Sequence, residues 1–185
     1  QLVDCAPNPN HCGGTGVCSG SVQEVAMNYS RSAGITTEKD YPYTAETGTC
    51  QPDKIHPVAT IDGYVKLPTN DYDALMTAVA TIGPIAISVS ADWAFYLAGV
   101  YNGECGWVID HAVQLVGYGV ERTILGEHPY WLVRNSWGAM WGERGYIKIH
   151  READASKVVC GIDDDPQAGD GCDGGRKTVK VCGKC

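Results

Sequence analysis

Nine cysteines in a chain of 185 residues limit what this protein can fold into and where. Cytosolic proteins keep thiols reduced, so this content predicts disulfide cross-links and an oxidising compartment. A structural metal site would need clustered cysteine pairs. Only Cys182 and Cys185 have that spacing, and no second pair or nearby histidine accompanies them. We therefore expect no metal and no cofactor. Because nine is odd, at least one cysteine must be free or bonded outside the chain.

Composition limits the classes of partner that this protein can bind. Hydrophobic residues make up 44% of the chain, which predicts a folded core. The net charge is −8 and the 14 Lys and Arg are scattered, which argues against nucleic acid as a partner. No apolar stretch is long enough to span a bilayer. The chain lacks an initiator Met, and residues 1–5 do not resemble a signal peptide, so we expect it to begin inside a larger translation product.

The periodicity of the chain predicts an α+β fold. Apolar residues at helical spacing predict a helix that begins at residue 20 or 21 and ends just before Gly34, and Asp71 is placed to cap a second helix near residues 72–81. Apolar runs and alternation predict strands at residues 58–65, 85–89, 112–118, 130–134, 145–150 and 178–181. We expect a small helical domain at residues 1–58 and an antiparallel β-barrel at 59–185 with a cysteine-containing C-terminal extension.

Two segments carry the residue types of a thiol-based catalyst. Residues 109–113 contain His111, and residues 134–142 contain Asn135, Trp137 and Trp141. A neutral imidazole can take a proton from a thiol and return it to a leaving group, provided that one ring nitrogen is held in place. An amide oxygen of Asn135 can hold it, Trp137 can shield the contact, and Trp141 can wall the cleft. Each residue alone is more often structural, and only the ordered combination indicates catalysis.

The ordered motifs resemble the papain-like cysteine proteases of the cathepsin L and B type. The matching segments are residues 1–5, 11–16, 40–43, Cys50, 99–105, 110–113, 117–119, 135–138, 141–142 and 145–146. The resemblance implies a papain-like two-domain fold and cysteine endopeptidase activity on peptide substrates. It makes His111 the general base and acid, Asn135 its orienting residue and Trp137 its shield.

The nucleophile of that family is missing. It lies in a Cys-Gly-Ser/Ala-Cys-Trp/Tyr signature, with the histidine roughly 130 to 150 residues downstream. No such signature occurs here, and that span counted back from His111 ends before Gln1. We therefore expect the nucleophile to lie upstream of residue 1 and the chain alone to be inactive. Its own N-terminal segment or a light chain would complete it. The alternative is a catalytically inactive binding or structural subunit.

The resemblance also implies disulfides and a substrate site. It pairs Cys5 with Cys50 and Cys105 with Cys160, and it leaves Cys12 for an upstream partner. Sequence cannot fix the remaining pairs, although Cys172–Cys182 with Cys18–Cys185 is one solution.

The glycine-rich segment resembles the family's substrate-binding strand, whose edge pairs with a peptide backbone. Either Val17 or Cys18 would form the wall of the second subsite, with Ala112 below it. The implied substrate-binding residues are Gly14, Thr15, Gly16, Val17, Asp110 and Ala112. Separately, Asn28 begins an Asn-Tyr-Ser sequon and is a candidate glycosylation site.

Overall fold

The computed structural model describes all of residues 1–185. The chain forms two compact units. The first comprises residues 1–66 and 166–176, and the second comprises 67–165 and 177–185. The predicted boundary at 58/59 thus differs from the observed one at 66/67. Residues 58–65 do not form the predicted strand. Their only β-type pairing is a single bridge between Ala59 and Ile35.

The first unit is built on two helices. Helix α1 spans Leu2–Cys5, and α2 spans Gln23–Ala33, which begins two or three residues after its predicted start. Gly34 ends α2 with φ at 69°, a conformation that glycine adopts without strain. Short 3₁₀ turns at Val17–Ser19, Pro52–Lys54 and Pro166–Ala168 complete the unit.

The second unit begins with helix α3, Tyr72–Thr81, whose predicted cap is confirmed. The side chain of Asp71 accepts a hydrogen bond of 2.9 Å from the N–H of Ala74, which satisfies one of the unpaired donors of the first turn. Ala78 and Val79 are the buried residues of this helix.

A five-stranded sheet follows α3. Its strands are β1 (Ile85–Val89), β2 (Val100–Tyr101), β3 (His111–Thr123), β4 (Gly126–Arg134) and β5 (Tyr146–His150), in the order β1-β3-β4-β5-β2. All pairs are antiparallel except β2 with β5. The α+β class is confirmed, but the predicted barrel is wrong. The sheet stays open because β1 and the two-residue β2 lie at opposite edges and do not pair.

The core of the second unit is a row of paired residues. Leu115, Val133 and Ile147 face one another across β3, β4 and β5, and each has 0% exposure. Trp93 is buried beside them at 1%. This register brings the start of β3, at His111, close to the end of β4, at Arg134.

A separate two-stranded antiparallel sheet of β6 (Cys160–Asp163) and β7 (Val179–Cys182) completes the second unit. Cys160 lies directly opposite Cys182 in its register and is bonded to it. The expected Cys105–Cys160 bond is therefore wrong, and Cys105 is bonded to Cys185 instead.

The first unit contains the other two disulfides. The Cys5–Cys50 bond implied by the resemblance is present. Cys12 is bonded to Cys172, so the expectation that it awaits an upstream partner is wrong, as is the suggested Cys172–Cys182 pair. Backbone hydrogen bonds from Gly13 to Gly171 and from Asp173 to Asn10 bring the two segments together. Cys18 is exposed and free, so the suggested Cys18–Cys185 bond is also wrong.

No helix of the structure has both the length and the apolar character needed to cross a membrane.

We expect Leu115→Ala to lower the free energy of unfolding by about 2–5 kcal/mol, because it removes a fully buried side chain and leaves a cavity. Val120→Ala, on the same strand at 41% exposure, should cost less than about 1 kcal/mol and serves as the matched control. Urea unfolding followed by circular dichroism measures both. Equal losses would contradict this description of the core.

Candidate active site

The sheet brings His111 and Asn135 into contact. His111 is the first residue of β3, and Asn135 directly follows the last residue of β4. The N–H of Asn135 donates to the carbonyl of Gly145, which fixes the backbone there. His111 Nε2 lies 2.9 Å from Asn135 Oδ1, and Asn135 is only 8% exposed. The two predicted residues thus form a hydrogen-bonded pair at one end of the sheet.

A neighbouring amide identifies the tautomer of His111. The N–H of Ser136 donates to Asn135 Oδ1 at 2.8 Å, so the atom facing it must be the amide oxygen. Because Oδ1 is an acceptor, His111 Nε2 must carry the hydrogen of their shared bond. The lone pair of the neutral imidazole is then on Nδ1. This nitrogen can accept a proton while the other is held by Asn135.

Two tryptophans pack beside this pair, Trp137 on the ring of His111 and Trp141 on the ring of Trp137. The ring of Trp137 stacks on His111 with centroids 5.3 Å apart and an interplanar angle of 28°. Trp141 meets Trp137 edge-on at 5.1 Å, and its Nε1–H donates to the carbonyl of Ala94 at 3.0 Å. Trp137 thereby shields one face of the imidazole, and Trp141 supports Trp137 from the side.

A charged network that the sequence analysis missed supports the tryptophans. Glu143 Oε1 accepts hydrogen bonds from the N–H of Gly99 at 2.8 Å and from the hydroxyl of Tyr96 at 3.1 Å. Lys148 Nζ lies 3.1 Å from Glu143 Oε2 and 2.8 Å from Glu121 Oε1. The ring of Tyr96 packs on Trp141, with centroids 5.7 Å apart. The alternation of β5 correctly placed Lys148 opposite the core face, but nothing local in the sequence indicated its two partners.

The pKa values in this network follow from burial and hydrogen bonding. Burial alone would raise the pKa of Glu143, but the bonds from Gly99, Lys148 and Tyr96 outweigh it and hold that pKa below its ordinary 4.5. The bond to Glu121 is the largest cause that raises the pKa of Lys148 well above its usual range. Burial, with the neighbouring Glu143 charge, raises the pKa of Tyr96 to about 12.

The predicted glycine-rich strand is a compact loop. Gly14 has φ at 122°, and a Cβ there would overlap the carbonyl oxygen of Ser19, so only glycine fits. The N–H of Gly16 is bonded to the carbonyl of Gly20, and the carbonyl of Gly14 accepts from Asn8. Turns therefore replace the expected strand because these backbone groups bond within the loop. Thr15 and Val17 are its exposed members.

The remaining predicted residues are divided between the units. Asp110 and Ala112 flank His111 in the second unit and are both exposed. Asp110 is held by its backbone N–H, which donates to Val89, and by Oδ1, which accepts from the N–H of Ala91. Asn28 lies exposed on α2 in the first unit, and its amide donates to the hydroxyl of Tyr64 at 3.3 Å. Its glycosylation stays a prediction.

Comparisons with known proteins identify the family of this chain. The family model described as papain family cysteine protease matches residues 1–177. The chain is 44% identical to a KDEL-tailed cysteine endopeptidase of Arabidopsis thaliana over 167 residues, which is 88% of this chain and 44% of the relative. It is 46% identical to a cysteine endopeptidase of Oryza sativa subsp. japonica over 169 residues, 88% of this chain and 42% of the relative. The chain therefore spans less than half the length of these relatives.

Solved structures show the same likeness. The bromelain protease of Ananas comosus, in complex with the E64 inhibitor, is 33% identical with a TM-score of 0.70 over 98% of this chain and 75% of that one. Digestive procathepsin L 3 of Tenebrio molitor is 30% identical with a TM-score of 0.72 over 98% of this chain and 53% of that one. The Amb a 11 protease of ragweed pollen, in its proform, is 34% identical with a TM-score of 0.70 over 100% of this chain and 50% of that one.

The charged network predicts an acid-dependent contribution to stability. The pKa of Glu143 is lower in the folded state, so its contribution is complete above pH 4.5 and is lost as the pH falls through the folded-state pKa. We expect Glu143→Gln to lower the free energy of unfolding by about 1–2 kcal/mol at pH 7, and by progressively less on acidification below pH 4.5.

Glu127→Gln is the control, because Glu127 pairs with Arg122 on the surface with 62% of its side chain exposed. It should change stability by less than about 1 kcal/mol at pH 7. Urea titrations from pH 3 to 7 measure both variants. A loss in Glu143→Gln that stays constant with pH would contradict the assigned network.

Proposed function

Because the chain belongs to the papain family of cysteine proteases, we propose that it provides the histidine and the asparagine of a Cys-His-Asn endopeptidase. The nucleophilic cysteine comes from outside residues 1–185. One observation carries the proposal. The hydrogen bond between His111 Nε2 and Asn135 Oδ1 leaves the lone pair on Nδ1, which is the state required of a general base.

The disulfides support a nucleophile from outside this chain. Eight of the nine cysteines are in disulfides and have no thiol to ionise. The ninth, Cys18, is flanked by Val17, Ser19 and Gly20, which do not match the family's nucleophile signature. The relatives are about twice as long as the matched region, which is consistent with further protein that completes the site.

In the proposed reaction, His111 Nδ1 takes the thiol proton and the thiolate attacks the carbonyl carbon of the peptide. The imidazolium remains bonded to the Asn135 oxygen and then gives its proton to the departing amine. The acyl-enzyme is hydrolysed by a water molecule that His111 deprotonates in turn. Asn135 orients the ring without burying a second charge. Trp137 excludes water from one face and so strengthens the bond beneath it.

The substrate residues and the compartment are part of the same proposal. The proposed substrate residues of the first unit are Gly14, Thr15, Gly16 and Val17, and those of the second unit are Asp110 and Ala112. The apolar Val17 favours aliphatic or aromatic side chains in the second subsite. The four disulfides support a lysosomal, vacuolar or secreted location. The proforms among the solved relatives support synthesis as an inactive precursor.

A thiol-directed epoxide inhibitor tests the proposal on the protein isolated from its natural source. We expect one equivalent of label, and peptide mapping should place it on a cysteine outside residues 1–185. Label on Cys18 would refute the proposed position of the nucleophile. No label on the complete protein would refute the peptidase and leave an inactive member of the family.

In the complete protein, with its upstream nucleophile, His111→Ala should lower kcat/KM for a fluorogenic peptide by about 10²–10⁴-fold, because the general base is lost. His56→Ala, which removes an exposed histidine from the first unit, should leave kcat/KM unchanged. Comparable rates in the two variants would exclude His111 as the base.

A further inference from the structure

The segment that leads into His111 is attached to the C-terminal part of the second unit at alternate residues. Cys105 is bonded to Cys185. Trp107 packs so closely on Gly161 that a Cβ at this glycine would overlap the indole ring. The N–H of Ile109 donates to Asp163 Oδ2 at 3.3 Å. The residues at 105, 107 and 109 are thus all fixed to the C-terminal segment.

Asp163 is the unusual member of these contacts. Its side chain is among the most deeply buried of the protein, at 1% exposure. Its two carboxylate oxygens accept from backbone amides, Oδ1 from Asp165 at 2.9 Å and Oδ2 from Ile109 at 3.3 Å. A buried carboxylate is costly to desolvate, and an apolar residue of similar size often serves stability as well or better. This arrangement therefore points to a role in fixing the backbone.

The backbone that Asp163 holds carries the imidazole. Ile109 lies two residues before His111, and Asp110 between them is fixed from the other side by Val89 and Ala91. His111 then pairs with Val89 in the sheet. If Ile109 shifts, the start of β3 shifts with it, and the 2.9 Å contact between Nε2 and Asn135 Oδ1 is disturbed.

We propose that Asp163 is a positioning residue for His111. Its buried carboxylate holds the backbone at Ile109, so that the imidazole reaches Asn135 as the Nε2–H tautomer. The importance of this for catalysis rests on the proposed function, whereas the effect on the imidazole can be measured without any enzymatic activity.

The test is NMR of the protein with ¹⁵N-labelled histidine and ¹⁵N-labelled backbone, with His111 assigned by its loss in His111→Gln. The variants are Asp163→Asn, which keeps the size of the side chain, and Asp163→Ala. Asp164→Asn is the matched control, since it removes the same charge one residue away at an exposed position. Retention of the four disulfides and of the circular dichroism spectrum establishes that each variant is folded.

We expect the wild type and Asp164→Asn to show His111 as the Nε2–H tautomer. Both Asp163 variants should show a mixture of tautomers, and hydrogen exchange at the Ile109 amide should be about 10- to 100-fold faster, as for the loss of a bond to a charged acceptor. A purely structural loss of stability would raise exchange throughout the sheet and leave the tautomer unchanged.

Each of the remaining outcomes refutes either the positioning role of Asp163 or the proposed function. If Asp163→Asn is folded and keeps the tautomer of the wild type, the positioning role is refuted while the proposed function stands. If neither Asp163 variant folds, Asp163 is a structural residue and the positioning role is likewise rejected. If the wild type itself lacks the Nε2–H tautomer, the proposed function fails, and the exchange rate at Ile109 still reports on the bond to Asp163.

Discussion

Leu115, Val133 and Ile147 lie side by side on three adjacent strands, and water reaches none of them. Successive side chains of a strand point to opposite faces, so a slip of one residue would turn this row out into solvent. The register of the sheet is therefore strongly determined. That register places His111, at the start of β3, near Asn135, just after the end of β4, where the two side chains are 2.9 Å apart. Packing several residues away from the candidate site thus sets which strand ends meet there.

Local physical signals predicted much of this fold. The Asp71 cap located the start of α3, and apolar runs and alternation located β1, β5 and parts of β3 and β4. The far ends of β3 and β4 lie four or five residues beyond the predicted strands, and the two-residue β2 was not predicted. The errors concern contacts between distant parts of the chain. The barrel was wrong because sheet closure depends on pairing between edge strands. The predicted disulfides of Cys105 and Cys160 were wrong because they depend on the pairing of β6 with β7, in which Cys160 faces Cys182.

The residues of the candidate site also divide into those that a sequence signal identifies and those that only contacts between distant parts of the chain identify. His111, Asn135 and the two tryptophans were recognised because their order along the chain resembles a known family. Glu143, Lys148 and Asp163 were missed because a single acidic or basic residue has no local signature that distinguishes a solvated side chain from a partner in a network. Their importance comes from the atoms that surround them in the structure. For Glu143 these are Tyr96 and Gly99, from the loop before β2, and Lys148 from β5.

The Cys12–Cys172 bond joins residues separated by 160 positions, and the whole stretch 67–165 of the second unit lies inside the loop that it closes. The conformational entropy of an unfolded chain falls when such a long loop is closed, so this bond restrains the denatured state of both units. It also links the two segments of the first unit, residues 1–66 and 166–176, directly to each other by a covalent bond. A single proteolytic cut within residues 67–165 would leave residues 166–176 linked to the first unit, and separation of the fragments would require reduction as well as cleavage.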